Sequence, residues 1–453
     1  MPTLRGMRSP WLVLLLLASR PAAADERPAP VSASDPAPAA TDDSSADPFA
    51  FGDFTWLNGS NRQKTSLLDT NYFTGSALLD SSYVYDFNRP IDDTIVGSTV
   101  ALRHNEFNIV MASLGGDFHW QHVRATLTAQ LGQRPVVLSS GDPSQNHGQF
   151  ELASAFRYIR EANAGYHWDV LHGLNVDLGL FMAYLGLSYL SFENWSYQPP
   201  YVSDATPYYF QGVRAQLFPS DRLKIELWLV NGWQTYGVVN RSPAVGYQLL
   251  WRPSEAWSLT SNGYLGYDAP QAVGRLRLHS DNNLQWRYYQ NLGRFFTRAA
   301  ISLILDAGCE DGDGVSCGGS PTAPQQSFLG GALYHRIWFA GDLLAFTLGL
   351  GGVSSPGRYL EPAVPGTNGP SAFPQTPGTT FDAWDATATF DYMPHDLVTF
   401  RLEFNHRAAD VKYFAGAGGV TSPDGYTTSS TVAFVPDLRH DENRLALALL
   451  FRM

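Results

Sequence analysis

Residues 122–131, HVRATLTAQL, alternate strictly between polar and apolar side chains. The apolar positions are Val123, Ala125, Leu127, Ala129 and Leu131. Strict alternation places successive side chains on opposite faces of a β-strand. This window therefore predicts a strand with one apolar face and one polar face.

The same period of two returns along most of the chain. Residues 223–229, 275–289 and 398–407 repeat the pattern, with charged side chains on one face and apolar side chains on the other. We predict an all-β protein of about 16 antiparallel strands. The predicted strands are 74–87, 105–115, 121–132, 158–168, 174–186, 208–218, 223–233, 244–252, 257–267, 275–289, 296–306, 327–339, 343–353, 380–393, 397–407 and 443–453.

The connections between these strands are of two kinds. Short ones, at 115–120, 169–173, 219–222, 253–256, 290–294, 340–342 and 394–396, alternate with mostly longer ones. Short turns on one rim and long loops on the other are typical of a transmembrane β-barrel. We therefore predict that residues 54–453 form a transmembrane antiparallel β-barrel with short periplasmic turns and long extracellular loops.

The height of the apolar face supports a barrel over a large secreted β-sandwich, which would also alternate. From Trp257 to Tyr267, ten steps of about 3.3 Å at a tilt of about 40° span roughly 25 Å, the height of a lipid-facing band. Trp251 and Trp257 flank a short turn, where an interfacial aromatic girdle would lie. A sandwich would instead expose a very large polar sheet that no helical layer covers.

The N-terminal region predicts export. Arg5 and Arg8 precede the apolar run 11–18, and small alanines follow at 22–24, so residues 1–24 have the layout of a secretory signal peptide. Residues 25–53 are acidic and rich in Pro and Ala, which predicts a disordered linker. The net charge of −12 and the lack of a basic block argue against a nucleic-acid partner.

Three segments have a distinctive sequence: Asp69–Pro90 (DTNYFTGSALLDSSYVYDFNRP), Glu193–Tyr197 (ENWSY) and Val230–Trp233 (VNGW). They resemble the OmpL-like β-barrel porin family of bacterial outer membranes, and the resemblance is best over residues 69–268. It implies a pore in the outer membrane, in contact with the lipid bilayer and lipopolysaccharide. It carries over no catalytic residue.

The polar strand faces supply the side chains that we expect to line the lumen. An alternative is that many of them pair across strands and only stiffen the wall. Because the acidity lies mainly in the linker and loops, net charge does not set the selectivity, and a weak anion preference stays open. The candidates are Arg124, Glu161, Asp177, Arg214, Lys224, Glu226, Arg275, Arg277, Asp281, Arg287, Arg298, Arg401, Glu403 and Arg407.

The third long connection, residues 187–207, combines aromatic, proline and acidic residues (LSYLSFENWSYQPPYVSDATP). By analogy with general porins, whose third external loop folds inward, we expect it to narrow the channel. The alternative is a surface loop whose aromatic rings pack on the rim. The constriction candidates are Glu193, Trp195, Tyr197, Tyr201 and Asp204.

The remaining motifs predict neither a cofactor nor a metal site. Cys309 and Cys317 are expected to form a disulfide in an oxidising compartment. Residues 314–318 match G-x-S-x-G, but they lie in a Gly-rich loop rather than between a strand and a helix. The histidines show no metal-ligand spacing.

We therefore expect an outer-membrane porin through which small hydrophilic solutes diffuse passively, and not an enzyme. Two alternatives remain: a barrel enzyme of the hydrolase type, and a non-conducting barrel whose loops bind a partner or surface. The sequence leaves a homo-oligomer open.

Overall fold

The computed structural model describes residues 47–60, 62–144, 148, 150–187, 193–240, 242–270, 272–360, 377–426 and 434–453. The predicted signal peptide and most of the predicted linker lie outside these residues. Among the described residues, no helix is long and apolar enough to cross a membrane.

Sixteen strands close into one antiparallel barrel, which confirms the predicted fold and strand count. Each strand pairs with the next along the chain, and β18 returns to pair with β1, from Leu78 opposite Arg452 to Asp86 opposite Arg444. The barrel strands are β1 (Phe73–Asp86), β2 (Phe107–Trp120), β3 (Val123–Leu131), β4 (Ile159–Trp168), β5 (Leu174–Met182), β6 (Tyr209–Ser220), β7 (Leu223–Val230), β8 (Ala244–Trp251), β9 (Trp257–Gly266), β10 (Leu276–Gln290), β11 (Phe296–Asp311), β12 (Ser327–Phe339), β13 (Leu344–Ser354), β14 (Asp382–His395), β15 (Val398–Ala409) and β18 (Asp441–Arg452).

The other elements are short and are not strands of the barrel wall. They are a 3₁₀ turn (Thr55–Leu57), the helices α1 (Gln133–Ser140), α2 (Leu152–Phe156) and α3 (Tyr201–Asp204), and a small sheet of β16 (Phe414–Ala415) and β17 (Leu438–Arg439). We name the extracellular loops L1 (87–106), L2 (132–158), L3 (183–208), L4 (231–243), L5 (267–275), L6 (312–326), L7 (355–381) and L8 (410–440). The predicted disulfide joins Cys309 in β11 to Cys317 in L6, with a Cα–Cα distance of 5.1 Å.

The alternation in sequence becomes an alternation between lumen and lipid. In β10, Arg277, His279 and Asp281 point inward and are buried, whereas Leu278 and Trp286 are exposed on the outer face. This arrangement is the reverse of a soluble core, and it suits a wall between hydrocarbon and a polar lumen. The periplasmic girdle is present too, because the rings of Trp257 and Trp286 stack at 5.0 Å beside a periplasmic turn.

The prediction of a turn at residues 115–120 is wrong, because β2 continues to Trp120. A Cβ on Gly115 would lie 2.1 Å from the Leu127 carbonyl oxygen, and one on Gly116 would lie 2.2 Å from the Thr74 carbonyl oxygen. These glycines therefore allow close approach of neighbouring strands and do not mark a turn. The chain reverses at Gln121, whose φ is +54°.

Candidate functional site

The described residues of L3, 183–187 and 193–208, lie inside the barrel, with α3 against the inner face of strands β11–β14. Glycines on that face leave room for it: a Cβ on Gly330 would lie 3.0 Å from Val202, and one on Gly351 would lie 3.3 Å from Pro200. Larger inward side chains at these positions would push L3 away from the wall. The entry of L3 therefore depends on glycines of the wall as well as on the sequence of the loop.

Three buried arginines of the wall hold the backbone of L3. Arg336 donates to the Trp195 carbonyl at 3.1 Å, Arg401 to the Ser196 carbonyl at 2.7 Å, and Arg407 to the Pro199 carbonyl at 2.7 Å. Hydrogen bonds from charged donors are strong where water is excluded. The wall therefore binds L3 chiefly through the main chain.

Wall carboxylates complete the contacts with L3. Glu403 accepts the backbone N–H groups of Tyr197 and Gln198, the latter at 2.8 Å. Asp391 lies between Arg336 and Arg401, with oxygen–nitrogen distances of 2.7 and 2.6 Å. Asp391 is therefore paired with two arginines and Glu403 is hydrogen-bonded to the loop backbone, so each buried carboxylate has partners, as burial requires.

Asp204 joins L3, L1 and the wall. Its carboxylate pairs with Arg407 at 2.6 Å and accepts the Thr99 hydroxyl at 2.7 Å. Arg407 also donates to the Gly97 carbonyl of L1, and its guanidinium lies 4.2 Å from the centre of the Tyr201 ring. Burial raises the pKa of the Tyr201 phenol well above its ordinary value, so this ring stays neutral beside the ion pair.

An N-terminal segment, which we define as residues 47–60, enters the lumen from the periplasmic end. Trp56 is buried, and its indole N–H donates to the Glu255 carbonyl of a periplasmic turn at 2.9 Å. Gly59 donates to the Glu193 carbonyl of L3 at 3.1 Å. A Cβ on Gly59 would lie 1.6 Å from the Asn194 carbonyl oxygen, so only glycine permits this contact.

The predicted disordered linker ends at residue 53, but residues 47–53 already belong to this segment. The Phe49 amide donates to the Asp221 carbonyl at 2.7 Å. The Arg252 guanidinium lies 4.9 Å from the centre of the Phe49 ring and 4.5 Å from that of Phe54. The acidic composition of the linker concealed these aromatic and cationic contacts.

Asp53 anchors the segment to the wall. Its carboxylate lies 3.3 Å from the Arg298 guanidinium and accepts the Thr55 hydroxyl at 2.6 Å. Partial burial raises the pKa of this carboxyl, but the hydrogen bonds from Thr55 and the charges of Arg298 and Lys64 outweigh that effect and lower it to about 2. Asp53 is therefore ionised at neutral pH.

A polar cavity remains beside the opposite wall, along β1–β10. It consists of two parts of about 340 and 400 Å³ that share Glu161, Arg214 and Gln216. One part reaches Met453 near the periplasmic end of β18, and the other is bordered by Leu187 of L3. L3 thus lies on one side of the lumen, and the polar space lies on the other.

The predicted lumen residues all occur on the inner side of the barrel but have different surroundings. Five line the cavity: Arg124, Glu161, Arg214, Lys224 and Glu226. Asp177 lies beneath them, 3.1 Å from Arg124 and 2.8 Å from Arg214. The other eight are paired with neighbouring side chains or covered by inserted segments. Arg275 and Arg277 pair with Glu310, and Asp281 accepts hydrogen bonds from Asn262 and Asn283. The N-terminal segment covers Arg287 and Arg298, and L3 covers Arg401, Glu403 and Arg407.

The predicted constriction residues are also found within the lumen. Trp195, Tyr197, Tyr201 and Asp204 are buried between L3 and the wall and do not lie on the rim. Glu193 lines the cavity, and its carboxylate lies 3.4 Å from Arg452.

Sequence reasoning missed Arg160, a cationic residue of the cavity. Arg160 follows a register shift, because Thr128 pairs with Glu161 whereas Ala129 pairs with Ile159, and counting by twos therefore gave it the wrong face. Arg252, the last residue of the predicted strand 244–252, lies one residue beyond β8 and lines the cavity. Among the described residues, no group of His, Cys, Asp and Glu side chains is arranged to hold a metal ion.

A closed antiparallel barrel with an apolar outer band and a polar lumen defines an outer-membrane porin. The chain belongs to the family described as "Putative beta-barrel porin-2, OmpL-like", which matches residues 72–434. It is accordingly a protein of the bacterial outer membrane.

Solved structures share the barrel at very low sequence identity. The anion-selective porin from Comamonas acidovorans is 8% identical, with a TM-score of 0.51 over 84% of this chain and 99% of that chain. OmpT of Vibrio cholerae in its trimer form is 8% identical, with a TM-score of 0.49 over 85% and 100%. The channel DcaP of Acinetobacter baumannii is 10% identical, with a TM-score of 0.48 over 84% and 97%. No curated protein sequence matches this chain.

Proposed function

We propose that small hydrophilic solutes diffuse passively along the cavity beside β1–β10, and that L3 and the N-terminal segment set its width. The observation that carries this proposal is the division of the lumen. One half of the wall is dehydrated and bound to L3, whereas the other half presents polar side chains to an open space. A solute would pass by exchanging hydrogen bonds with water for hydrogen bonds with that wall, without chemical conversion.

The charges of the cavity favour weak ion selectivity. Arg124 and Arg214 share the carboxylate of Asp177, and Lys224 lies 2.6 Å from Glu226. Further cations and carboxylates on the cavity wall oppose each other in similar numbers: Arg160, Arg252 and Arg452 against Asp117, Glu161 and Glu193. Neutral or singly charged solutes are therefore the class that fits.

Single-channel recording in a salt gradient tests this path. The folded mature protein should give stable current steps with a reversal potential close to zero. Replacing Arg214 with glutamate should shift the reversal potential towards cation preference, because it adds a carboxylate beside Asp177 on the cavity wall. The matched control is Arg439→Glu in L8, which lies outside the cavity and should leave the reversal potential unchanged. Equal shifts in both variants would place the conducting path elsewhere.

A second candidate is a barrel whose inserted segments prevent conduction. It is favoured by the burial of Trp56, Trp195 and Tyr201 inside the lumen. Heat-modifiable, correctly folded protein that gives no steps would support this candidate. Steps that appear only after residues 47–60 are removed would identify the N-terminal segment as the plug.

A further inference from the structure

Arg252 lines the cavity but has no acidic partner in the part of the chain that the structure describes. Other cations of the cavity do have one: Arg214 lies 2.8 Å from Asp177, and Lys224 lies 2.6 Å from Glu226. The Arg252 Nε atom is buried and has no hydrogen-bond acceptor among the described residues. Because a buried charge without a partner is costly, this guanidinium has unused capacity to bind an anion.

The contacts that Arg252 does make leave its N–H donors available. Its guanidinium lies 4.9 Å from the centre of the Phe49 ring and 4.5 Å from that of Phe54. Such contacts attract the cation to the ring without supplying an oxygen acceptor. The N–H groups of a guanidinium form a planar fork that matches the two oxygens of a carboxylate. The N-terminal segment therefore helps to position a carboxylate-binding group at the cavity.

Neutral polar side chains adjoin Arg252 on the next two strands. The β8–β9 register places Ser258 beside Arg252, and Ser258 pairs in turn with Gln285 of β10. Ser258 and Gln285 both line the cavity, and they are only 5% and 7% exposed. Within the described residues, neither side chain has a hydrogen-bond partner. A hydroxyl and an amide, which supply both donors and acceptors, thus lie in one row with the guanidinium.

We propose that this row binds a small hydroxy acid, a monocarboxylate that also carries hydroxyl groups. Arg252 holds the carboxylate, and Ser258 and Gln285 exchange hydrogen bonds with the hydroxyls of the solute. Two strand spacings of about 4.8 Å separate the ends of the row, which suits a solute of a few carbon atoms. The surrounding part of the cavity, about 400 Å³, has the size of a small-molecule site. The inference rests on the proposed function, because the solute has to enter this cavity.

The neighbouring charges favour a monoanion over a dianion. Lys224 already pairs with Glu226 at 2.6 Å, and Arg287 pairs with Glu255 at 2.8 Å. A second negative charge on the solute would therefore meet cations that already have carboxylate partners. Hydroxyl groups on the solute, by contrast, match the unused donors and acceptors of the row.

Three matched three-carbon probes test the proposed ligand class. D-glycerate carries a carboxylate and hydroxyls, glycerol carries hydroxyls only, and propionate carries a carboxylate only. Saturation-transfer NMR titrations of the folded mature protein in detergent give the dissociation constant of each probe. Glycerate should bind about tenfold tighter than glycerol, because it adds charge-assisted hydrogen bonds, and about threefold tighter than propionate. Glycerate that binds no tighter than glycerol, or no tighter than propionate, would overturn the proposal.

Two substitutions separate the two parts of the site. Arg252→Gln removes the charge and should weaken glycerate binding about tenfold while glycerol binding stays unchanged. Gln285→Ala, whose parent side chain has no hydrogen bond to the N-terminal segment, should weaken glycerate binding about threefold and leave propionate binding unchanged. The matched controls, Arg439→Gln in L8 and Gln325→Ala in L6, lie outside the cavity and should bind glycerate as the wild type does. Unchanged glycerate binding in folded Arg252→Gln would refute the site.

Current recording on the same protein separates this inference from the proposed function. Glycerate binding to protein that gives no current steps would contradict diffusion through the cavity but would support the binding site. Current steps from protein that does not bind glycerate would contradict the binding site but would support diffusion.

Discussion

Replacing Arg407 with methionine tests whether the wall holds L3 in place. The Arg407 guanidinium is buried, and it donates to the Asp204 carboxylate at 2.6 Å, to the Pro199 carbonyl at 2.7 Å and to the Gly97 carbonyl. Methionine keeps much of the side-chain length but removes the charge and every donor. The Asp204 carboxylate would then be left buried without its arginine.

The size of the effect follows from the burial of this pair. Removing one partner of a buried ion pair costs about 3–5 kcal/mol. Because about 1.4 kcal/mol corresponds to a factor of ten, the equilibrium should shift by at least about a hundredfold from docked L3 towards undocked L3. The exposed pair of Arg439 and Asp437, at 3.1 Å, provides the matched control. An exposed pair is worth about 0–1 kcal/mol, so Arg439→Met should change little.

Single-channel recording of the full mature protein measures this equilibrium. Arg407→Met should spend a larger fraction of time in a higher-conductance state, whereas Arg439→Met should behave like the wild type. Heat modifiability on gels confirms that each barrel is folded. If folded Arg407→Met kept the conductance and dwell times of the wild type, the reasoning that this arginine holds L3 would be refuted.

Three further predictions concern the N-terminal segment. Deleting residues 47–60 should raise the single-channel conductance, because the segment occupies the periplasmic end of the lumen; unchanged conductance would show that it does not obstruct the path. Gly59→Ala should raise conductance in the same direction, since a Cβ there meets the backbone of L3, whereas Gly293→Ala in an open turn should have no effect. The Asp53–Arg298 contact should stabilise the docked segment fully above pH 3.8 and lose that effect as the pH falls through the folded pKa of about 2. Protease cleavage of the segment should therefore increase between about pH 4 and pH 2, and the increase should be absent in Asp53→Asn.

The strands could be predicted because their signal is local. In β3 and β10, the position of a residue in the alternating run determines which face of the strand it occupies. The alternation is strict because one face meets hydrocarbon and the other meets a polar lumen. The predicted strands and faces differ from the structure where the period of two is interrupted. The register shift beside Glu161 and the close approach at Gly115 both produced errors.

The sequence could predict that L3 folds inward, but it could not predict which wall residues L3 contacts. Asp204 and Arg407 are 203 residues apart, and no periodicity relates an acid in a loop to an arginine in a distant strand. The sequence does contain a signal, since Gly330 and Gly351 occupy inward positions of β12 and β13, where a strand rarely gains from glycine. Inward glycines on adjacent strands indicate a wall against which another segment packs.

The sequence did not predict that residues 47–60 enter the lumen, and the reason is different. Composition describes the average behaviour of a segment, and the acidic, Pro-rich stretch before residue 54 resembles a chain that cannot bury enough apolar surface to fold by itself. This segment does not need to fold by itself. Phe49 and Phe54 pack on Arg252, and Trp56 reaches a periplasmic turn, so a completed barrel supplies the surface.

The two halves of the wall therefore carry charge for different purposes. An arginine facing water can keep its hydration, but Arg336, Arg401 and Arg407 are fully buried and would be unstable without the carbonyls of L3 and nearby carboxylates. Arg214 remains in contact with the open cavity while it pairs with Asp177. Substitutions in β12–β15 should consequently alter how often and how widely the channel opens, because they act on the position of L3. Substitutions in β3–β9 should alter which ions pass, because they act on the space that the solute occupies.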